Sequence, residues 1–382
     1  MAGSCGPAIV CWSGMSHFSF RLIAWQQHSG RHDLPWQGSR DPYRIWVSEI
    51  MLQQTQVSTV IPYYQRFMER FPDLPALAAA DLEEVLRCWS GLGYYSRARH
   101  LHAAACHVVY ELGGVFPREA MLAVQLPGVG RSTAAAIAVF SAGAREAILD
   151  GNVKRVLARH QGVHGWPGDA QVEARLWELA RSLLPGQDIE AYTQGLMDLG
   201  ATVCTRRAPR CAFCPLQADC VARLGGLADR LPTPRPRIPV QQQQLRLMIY
   251  SHAGRVWLER RPAPGIWGGL WCFARGDSDE PGAQCERTWG VPAIRVNCGE
   301  VFSHTLTHRR LHIEPVMVEL RDAPRHTSVG RWLAPDEALT MAIPVPVRRL
   351  LQPLAAAADS KRTTSGAQYN GMPVPPADQV GR

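Results

Sequence analysis

Residues 126–133 read Leu126-Pro127-Gly128-Val129-Gly130-Arg131-Ser132-Thr133, and residues 149–155 read Leu149-Asp150-Gly151-Asn152-Val153-Lys154-Arg155. An alanine-rich run of helical period joins them. Glycines on either side of one valine suit a tight turn between two helices. Gly128 and Gly130 can adopt backbone angles denied to other residues. They also leave the first N–H groups of the following helix uncovered, where a phosphate can sit. About twenty residues on, one carboxylate, Asp150, stands immediately before another helix.

Around this stretch, the bulk properties set limits. A chain of 382 residues exceeds one ordinary core, so two or three domains are expected. No stretch approaches the ~20 uninterrupted apolar residues of a membrane helix. The net charge of +8 favours a polyanionic partner. Lys154 and Lys361 are the only lysines, so the arginine bias is equally well explained by genome composition. The eleven cysteines are an odd number, and four of them fall between residues 204 and 220. That is a metal-site pattern in a reducing compartment rather than a disulfide framework. Residues 1–17 read as a disordered extension, or as a mis-assigned start with Met15 the true one, since no charged leader region opens them.

Upstream of the hairpin, 18–27 reads as a helix and 30–36 as a Gly/Asp/Pro loop ending in Trp36. Asp41-Pro42 opens a helix with a capping side chain and a proline in the first turn. Its stripe of Tyr43, Trp46, Val47, Ile50 and Met51 surrounds Glu49, whose burial would raise its pKa. Gln53, Gln54 and Thr55 mark its end. Helices follow over 59–70, 81–87 and 95–110, with Pro72 and Pro75 breaking the chain between the first two. Gly91-Leu92-Gly93-Tyr94-Tyr95 is a loop of bulky side chains, either a satellite of the core or a wedge for a base stack. Beyond the hairpin, helices are expected over 152–160, 169–183 and 188–200. On residue pattern alone, Glu49 is equally a buried partner for an arginine, and Asp150 equally a helix cap.

Cys204, Cys211, Cys214 and Cys220 carry gaps of six, two and five residues. Four thiolates suit zinc or an iron–sulfur cluster equally. From Leu231, Pro232, Pro234, Pro236 and Pro239 alternate with arginines and lead into Gln241–Gln244, an extended linker over 226–243. The period then changes to two. Strands are expected over 245–249, 256–259, 269–273, 301–306 and 311–319, with a short helix after Pro335.

Taken together, Trp46–Thr55, Gly91–Tyr95, the hairpin, Leu149–Asn152, the four cysteines and Phe302-Ser303-His304 resemble the adenine DNA glycosylases of the helix-hairpin-helix/Gly-Pro-Asp superfamily. The resemblance covers residues 18–350. It implies a multidomain protein: an all-α glycosylase core with an iron–sulfur cluster domain, and an α+β Nudix-like C-terminal domain. The core is expected over 18–225, with a six-helix barrel in 35–145 and a cluster-bearing module from 18–34 and 146–225. The Nudix-like domain occupies 244–353. It lacks an acidic helix after Gly268-Gly269-Leu270, so no pyrophosphatase activity is expected. Residues 354–382 are expected to be a disordered tail.

The resemblance implies hydrolysis of the N-glycosidic bond of adenine opposite 8-oxoguanine or guanine in duplex DNA. Glu49 is the implied general acid, Asp150 the stabiliser of the sugar cation, and the four cysteines the ligands of one 4Fe-4S cluster. Trp36, Gln37, Gln194 and Ser132 are implied in the adenine pocket. Gln54, Thr55, Leu92, Tyr94, Gly128, Val129 and Gly130 are implied as DNA contacts. Phe302, Ser303 and His304 are implied in 8-oxoguanine recognition, with His308 and Arg309 as phosphate contacts or solvated surface. Bifunctional relatives use a lysine after the residue matching Arg131, where this chain has Ser132, so a monofunctional enzyme is expected. A cytoplasmic, nucleoid-associated, bacterial-type monomer without a membrane partner is the matching expectation. An endonuclease III-like glycosylase-lyase, a non-catalytic lesion binder and a zinc-finger regulator are the rival readings. Ser132, Glu49 and the second domain oppose the first, both carboxylates the second, and the want of a recognition helix beside the cysteines the third.

Overall fold

The computed structural model describes residues 17–236, 239–276, 280–306, 309–322 and 330–366, with side chains through residue 359. In chain order the first helices are α1 (His17–Ser29), α2 (Pro42–Leu52), α3 (Val57–Arg70), α4 (Leu74–Ala79), α5 (Leu82–Cys88) and α6 (Ser96–Glu111). They are followed by α7 (Ala120–Ala123), α8 (Arg131–Ala142), α9 (Gly151–His160), α10 (Ala170–Ser182), α11 (Ile189–Asp198) and α12 (Val221–Leu224). A π-helical turn, Leu199–Val203, continues α11. Pro75 starts a helix rather than breaking one: the Asp73 carboxylate accepts the Ala76 N–H at 2.8 Å, and proline is tolerated in a first turn.

The chain forms two compact units. Among the described residues, the first contains those up to Ala80 and those from Ser96 to Pro236; the second contains Asp81–Tyr95 and those from Pro239 onward. One core of the first unit gathers Leu22 of α1, Leu157 of α9, Leu176 of α10 and Leu196 of α11. Thus α1 closes over helices more than a hundred residues away in sequence.

Gly128 and Gly130 differ. Gly128 has φ +77°, and an added Cβ would lie 2.6 Å from the His100 Cβ. Only glycine fits there. Gly130 is the extended N-cap of α8, with φ −84° and open space around a would-be Cβ. Of the two glycines, Gly128 alone uses the left-handed freedom, and it makes the turn.

The expected linker is partly structured. Leu231 is buried, and its carbonyl accepts from Arg159 Nε at 2.7 Å. The Thr233 hydroxyl accepts the Gly165 N–H at 3.0 Å. The glutamines at its end belong to a strand, because their backbone pairs with a neighbouring strand, Gln241 opposite Arg309 through Gln244 opposite His312.

The second unit holds a mixed sheet of β1 (Gln241–His252), β2 (Arg255–Arg260), β3 (Trp271–Cys272), β4 (Ala274–Gly276), β5 (Ala293–Cys298), β6 (Phe302–Thr305), β7 (Arg309–Leu320) and β8 (Gly330–Leu333). The order β3-β2-β1-β7-β5 places β1 and β7 side by side in parallel at its centre. Strand β6 pairs antiparallel with the start of β7. Helix α13 (Pro281–Trp289) supplies Trp289 to a core with Tyr250, Trp257 and Val318. Helices α14 (Pro335–Thr340) and α15 (Val345–Gly366) follow. The tail expectation is corrected over 354–366, which continue α15: Leu351 and Ala355 are buried along it, and alanine favours helix. Residues 1–16 and 367–382 and His308 lie outside the described residues. Among the described residues, no helix is long and apolar enough to cross a membrane.

Candidate active site

Glu49 rides on α2. That helix begins where Asp41 accepts the Tyr43 N–H at 2.9 Å, and Trp46, Val47, Ile50 and Met51 drive its other faces into the core. Its carboxyl pKa is pushed up to about 8, first by burial and then by the negative charge of Asp150. Glu49 is therefore held protonated at neutral pH.

Beyond Leu52 the chain turns sharply, and Gln54 takes a left-handed backbone with φ +57°. A non-glycine residue there costs free energy and persists when its surroundings hold it. The holding group is Arg97, which the sequence reading did not single out. One of its nitrogens, Nη1, donates to the carbonyls of Ile50, Met51 and Gln53 at 2.8, 2.8 and 2.6 Å. Its Nη2 donates to the Thr55 hydroxyl at 3.1 Å. A buried cation on the open carbonyls of a helix end complements the helix dipole. In sequence, Arg97 is one arginine among many, and nothing local marks it.

Asp150 is the N-cap of α9. One carboxylate oxygen accepts the Val153 N–H at 2.8 Å and the other the Asn152 side-chain amide at 3.3 Å. Burial raises its pKa, and these donors and Arg155 oppose that rise. Asn152 is itself held, since Arg155 Nη2 donates to its Oδ1 at 2.8 Å. Arg155 also donates to the carbonyls of Gly200 at 2.7 Å and Cys204 at 2.8 Å. At Gly200 a Cβ would meet the Asn152 Cβ at 2.5 Å, so the π-helical turn needs glycine to come this close. Ser132, in the first turn of α8, accepts the Leu149 N–H at 2.9 Å and thereby ties the hairpin helix to the segment before Asp150.

Two cavities meet at Glu49. One, of about 570 Å³, is lined by Trp36, Gln37, Gln194 and Glu49. The other, of about 780 Å³, is lined by Glu49, Gln54, Thr55, Ser132 and Asp150. The structure thus brings Trp36, Gln37 and Gln194 together, while Ser132 lines the second cavity with Asp150. The Gln37 amide is engaged by its own loop, accepting the Leu34 N–H at 3.0 Å and donating to the Arg31 carbonyl at 2.9 Å. Gln194 donates to the buried Asp198 at 2.8 Å. Arg31, absent from the sequence expectations, pairs with Asp198 at 2.6 Å and lines both cavities. Lys154 lines neither: it donates to Glu173 at 2.8 Å and borders a separate depression.

The four cysteines ring one small cavity of about 30 Å³. Among the described residues, no three His, Cys, Asp or Glu side chains converge as ligands of a single ion. Four thiols lining one cavity are the donor set of either a zinc ion or an iron–sulfur cluster. Burial and then the neighbouring thiols push Cys214 up to about 12, so a positive group is needed if the four are to act as thiolates. Arg159 supplies part of that charge, with Nη1 donating to Cys204 Sγ at 3.4 Å.

In the second unit, the Gly91–Tyr95 loop is braced by its own residues. Trp89 Nε1 donates to the Gly93 carbonyl at 3.1 Å, and the Tyr95 hydroxyl accepts the Gly91 N–H at 3.1 Å. Ser90 donates to the Ile343 carbonyl at 3.1 Å. Tyr94 has φ +48° and is 44% exposed, whereas Leu92 is 6% exposed. The surface of this loop is therefore Tyr94's, and Leu92 is an anchor in this state.

Phe302, Ser303 and His304 alternate along β6, as strand pleating requires. Phe302 and His304 share one face: Arg349 stacks on the Phe302 ring at 4.5 Å, and the Trp267 ring centre lies 6.1 Å from that of His304. Burial lowers the His304 pKa. Ser303 points to the opposite face, paired with His312 of β7. Arg309 is exposed, with Nη1 donating to Gln243 Oε1 at 3.4 Å.

Residues 47–182 match the model of the HhH-GPD superfamily base excision DNA repair proteins, and residues 246–353 match that of the NUDIX domain. The adenine DNA glycosylase of Buchnera aphidicola subsp. Acyrthosiphon pisum is 34% identical over 342 residues, covering 88% of this chain and 97% of that protein. The adenine DNA glycosylase of Mus musculus is 35% identical over 400 residues, covering 88% of this chain and 77% of that protein. That of Mycolicibacterium smegmatis is 43% identical over 204 residues, covering 53% of this chain and 68% of that protein. With a helical repair core that presents a protonated carboxyl and a capped aspartate to one cavity, and a NUDIX sheet behind it in sequence, the chain belongs to the adenine DNA glycosylases.

Proposed function

We propose that the chain is a monofunctional glycosylase that releases adenine opposite 8-oxoguanine, or guanine, in duplex DNA. The observation that carries this is the meeting of two cavities at one protonated glutamate, with Asp150 on the wall of the second. An adenine turned out of the duplex fills the first cavity, and the deoxyribose lies in the second. Glu49 gives its proton to N7 of the base, because the adenine anion is a poor leaving group. The C1′–N9 bond then breaks with its electron pair going to the base. The sugar becomes an oxocarbenium ion, and the Asp150 carboxylate stabilises that cation or traps it at C1′. Water adds to C1′ and passes a proton to the Glu49 carboxylate, displacing the Asp150 carboxylate where it has bonded to C1′, and an abasic site is left. Trp36 walls the base pocket, while Arg31, Gln37 and Gln194 hold its shape. The Gly128–Gly130 amides at the start of α8 suit a backbone phosphate, and Gln54, Thr55 and Tyr94 suit the gap in the stack. Phe302, Ser303 and His304 suit the purine opposite.

Cys204, Cys211, Cys214 and Cys220 would hold one 4Fe-4S cluster. When bound, the cluster supplies a structural cross-link and takes no part in bond breaking. Arg155 joins the cysteine loop to Asn152 and so to Asp150. The protein as purified is expected to absorb at about 400 nm; a colourless protein carrying one zinc per chain would displace this assignment. Both carboxylates come from one chain, and the reading takes a monomer on DNA.

The test is base release from duplexes with adenine opposite 8-oxoguanine. Abasic product without strand scission at neutral pH is expected, unchanged in Lys154→Ala, since Lys154 faces Glu173 and a different depression. Scission without added base, together with a borohydride-trapped adduct lost in Lys154→Ala, would instead establish a lyase.

A further inference from the structure

Asp81–Tyr95 lies in sequence between α4 and α6 of the first unit, yet it packs as part of the second. Two hydroxyls of this segment converge there on one backbone carbonyl. Ser90 Oγ donates to the Ile343 oxygen at 3.1 Å, and the Tyr95 hydroxyl donates to the same oxygen at 3.4 Å. Each direction is fixed, because a carbonyl only accepts, and its two lone pairs serve two donors. Arg348 of α15 lies beside them, with Nη2 3.5 Å from Ser90 Oγ. On α5 the Glu83 carboxylate accepts from Trp271 Nε1 of β3 at 3.1 Å.

Ile343 is itself held. It is buried in the short connection between α14 and α15, and the carbonyl before it, that of Ala342, accepts the Trp271 N–H at 2.9 Å. Trp271 thus holds the connection with its backbone and α5 with its side chain. Between the two hydroxyls runs a left-handed turn, with φ +100° at Gly91, +78° at Gly93 and +48° at Tyr94. Glycine takes such angles freely, whereas a tyrosine keeps them only where its surroundings hold it. The Tyr95 hydroxyl also accepts the Gly91 N–H at 3.1 Å, which closes the loop end to end.

We propose that the NUDIX domain carries the wedge: Ser90 and Tyr95, tied to the Ile343 carbonyl, hold Tyr94 in the backbone state from which its ring enters the base stack beside the mispair. The inference rests on the reading above that Tyr94 suits the gap in the stack. A ring that enters the stack must part neighbouring bases, and any torsion left free in its loop adds an ordering cost to that step. With the anchor in place the loop is ordered before DNA arrives. Without it, the ordering cost falls on the mispaired duplex, which the wedge opens. A fully paired duplex is held through its phosphates and is indifferent to the loop. Ser90 and Tyr95 are positioning residues that act through Tyr94 without touching a base.

The experiment measures binding of the full chain to two duplexes. One carries 2′-fluoro-2′-deoxyadenosine, which resists hydrolysis, opposite 8-oxoguanine; the other is fully paired. In the double variant Ser90→Ala/Tyr95→Phe, affinity for the mispaired duplex falls about tenfold, as the loss of one or two hydrogen bonds implies, and affinity for the paired duplex is unchanged. Added to Tyr94→Ala, the same two substitutions cost nothing further, because the side chain they position is already gone. Retained preference in the double variant, a parallel fall on both duplexes, or a full further loss on top of Tyr94→Ala overturns the inference. If Tyr94→Ala itself keeps the full preference for the mispair, the wedge reading fails first and this inference with it; if Tyr94→Ala loses the preference and Ser90→Ala/Tyr95→Phe does not, the inference alone is rejected.

Discussion

Glu49→Gln binds the mispaired duplex and releases adenine about a thousandfold more slowly than the unmodified protein, within the range that general acids contribute. The amide keeps the size and the hydrogen-bonding ends of the carboxylic acid but has no proton to give to N7. Single-turnover release and duplex binding, measured side by side, check this; loss of both together would indicate a damaged fold instead. The pH profile carries the same information. In the proposed mechanism only protonated Glu49 is the acid, and burial and then Asp150 hold its pKa at about 8. Release opposite 8-oxoguanine should therefore fall as pH rises through about 8. Stability follows the same proton. A buried carboxyl whose folded pKa is raised from 4.5 to about 8 contributes stability fully present below 4.5 and lost progressively as pH climbs to about 8. Thermal melts of Glu49→Gln should lack this decline, so the variant gains on the unmodified protein between those limits.

Asp150→Asn separates capping from catalysis. Asparagine caps helices about as well as aspartate, so α9 keeps its Val153 bond, and stability changes by less than about 0.5 kcal/mol. Adenine release nevertheless falls about a thousandfold, because a neutral amide does not stabilise the developing cation at C1′. Asp150→Ala should lose the activity and a further ~1 kcal/mol of stability with the cap. Since Asp150 is the second cause of the raised Glu49 pKa, its neutralisation should also move the alkaline fall of the residual rate to lower pH. Urea melts and single-turnover rates on the three proteins decide the matter. Full activity in Asp150→Asn would leave the residue as a cap alone.

Much of the helical core was legible because its signals are local. The Asp41-Pro42 start, the apolar stripe around Glu49, the Gly128 turn and the Asp150 cap each depend on residues within one or two helical turns. The change to period two after the linker is equally local. The misreadings have local causes too. Pro75 was read as a break although a first turn accepts proline, and Gln241–Gln244 were read as linker although polar side chains do not stop a backbone from pairing with β7. The alanines after Leu351 resemble a tail in composition, and only burial of one side of the helix distinguishes them.

By itself, then, the sequence picked out the residues to which the proposed chemistry is assigned: the carboxyls of Glu49 and Asp150, the four thiols, the glycine at 128 and the Phe302–His304 strand. Each is a matter of residue type, spacing and backbone preference, which a linear pattern records. Tertiary structure alone decided what those residues are able to do. The protonation of Glu49 depends on burial and on Asp150, a hundred and one residues away. The shape of the turn after α2 depends on Arg97, and the support of Asp150 on Arg155 and a close approach at Gly200. Proton affinity and hydrogen-bond direction are set by neighbours in space, and these neighbours meet only when distant segments pack.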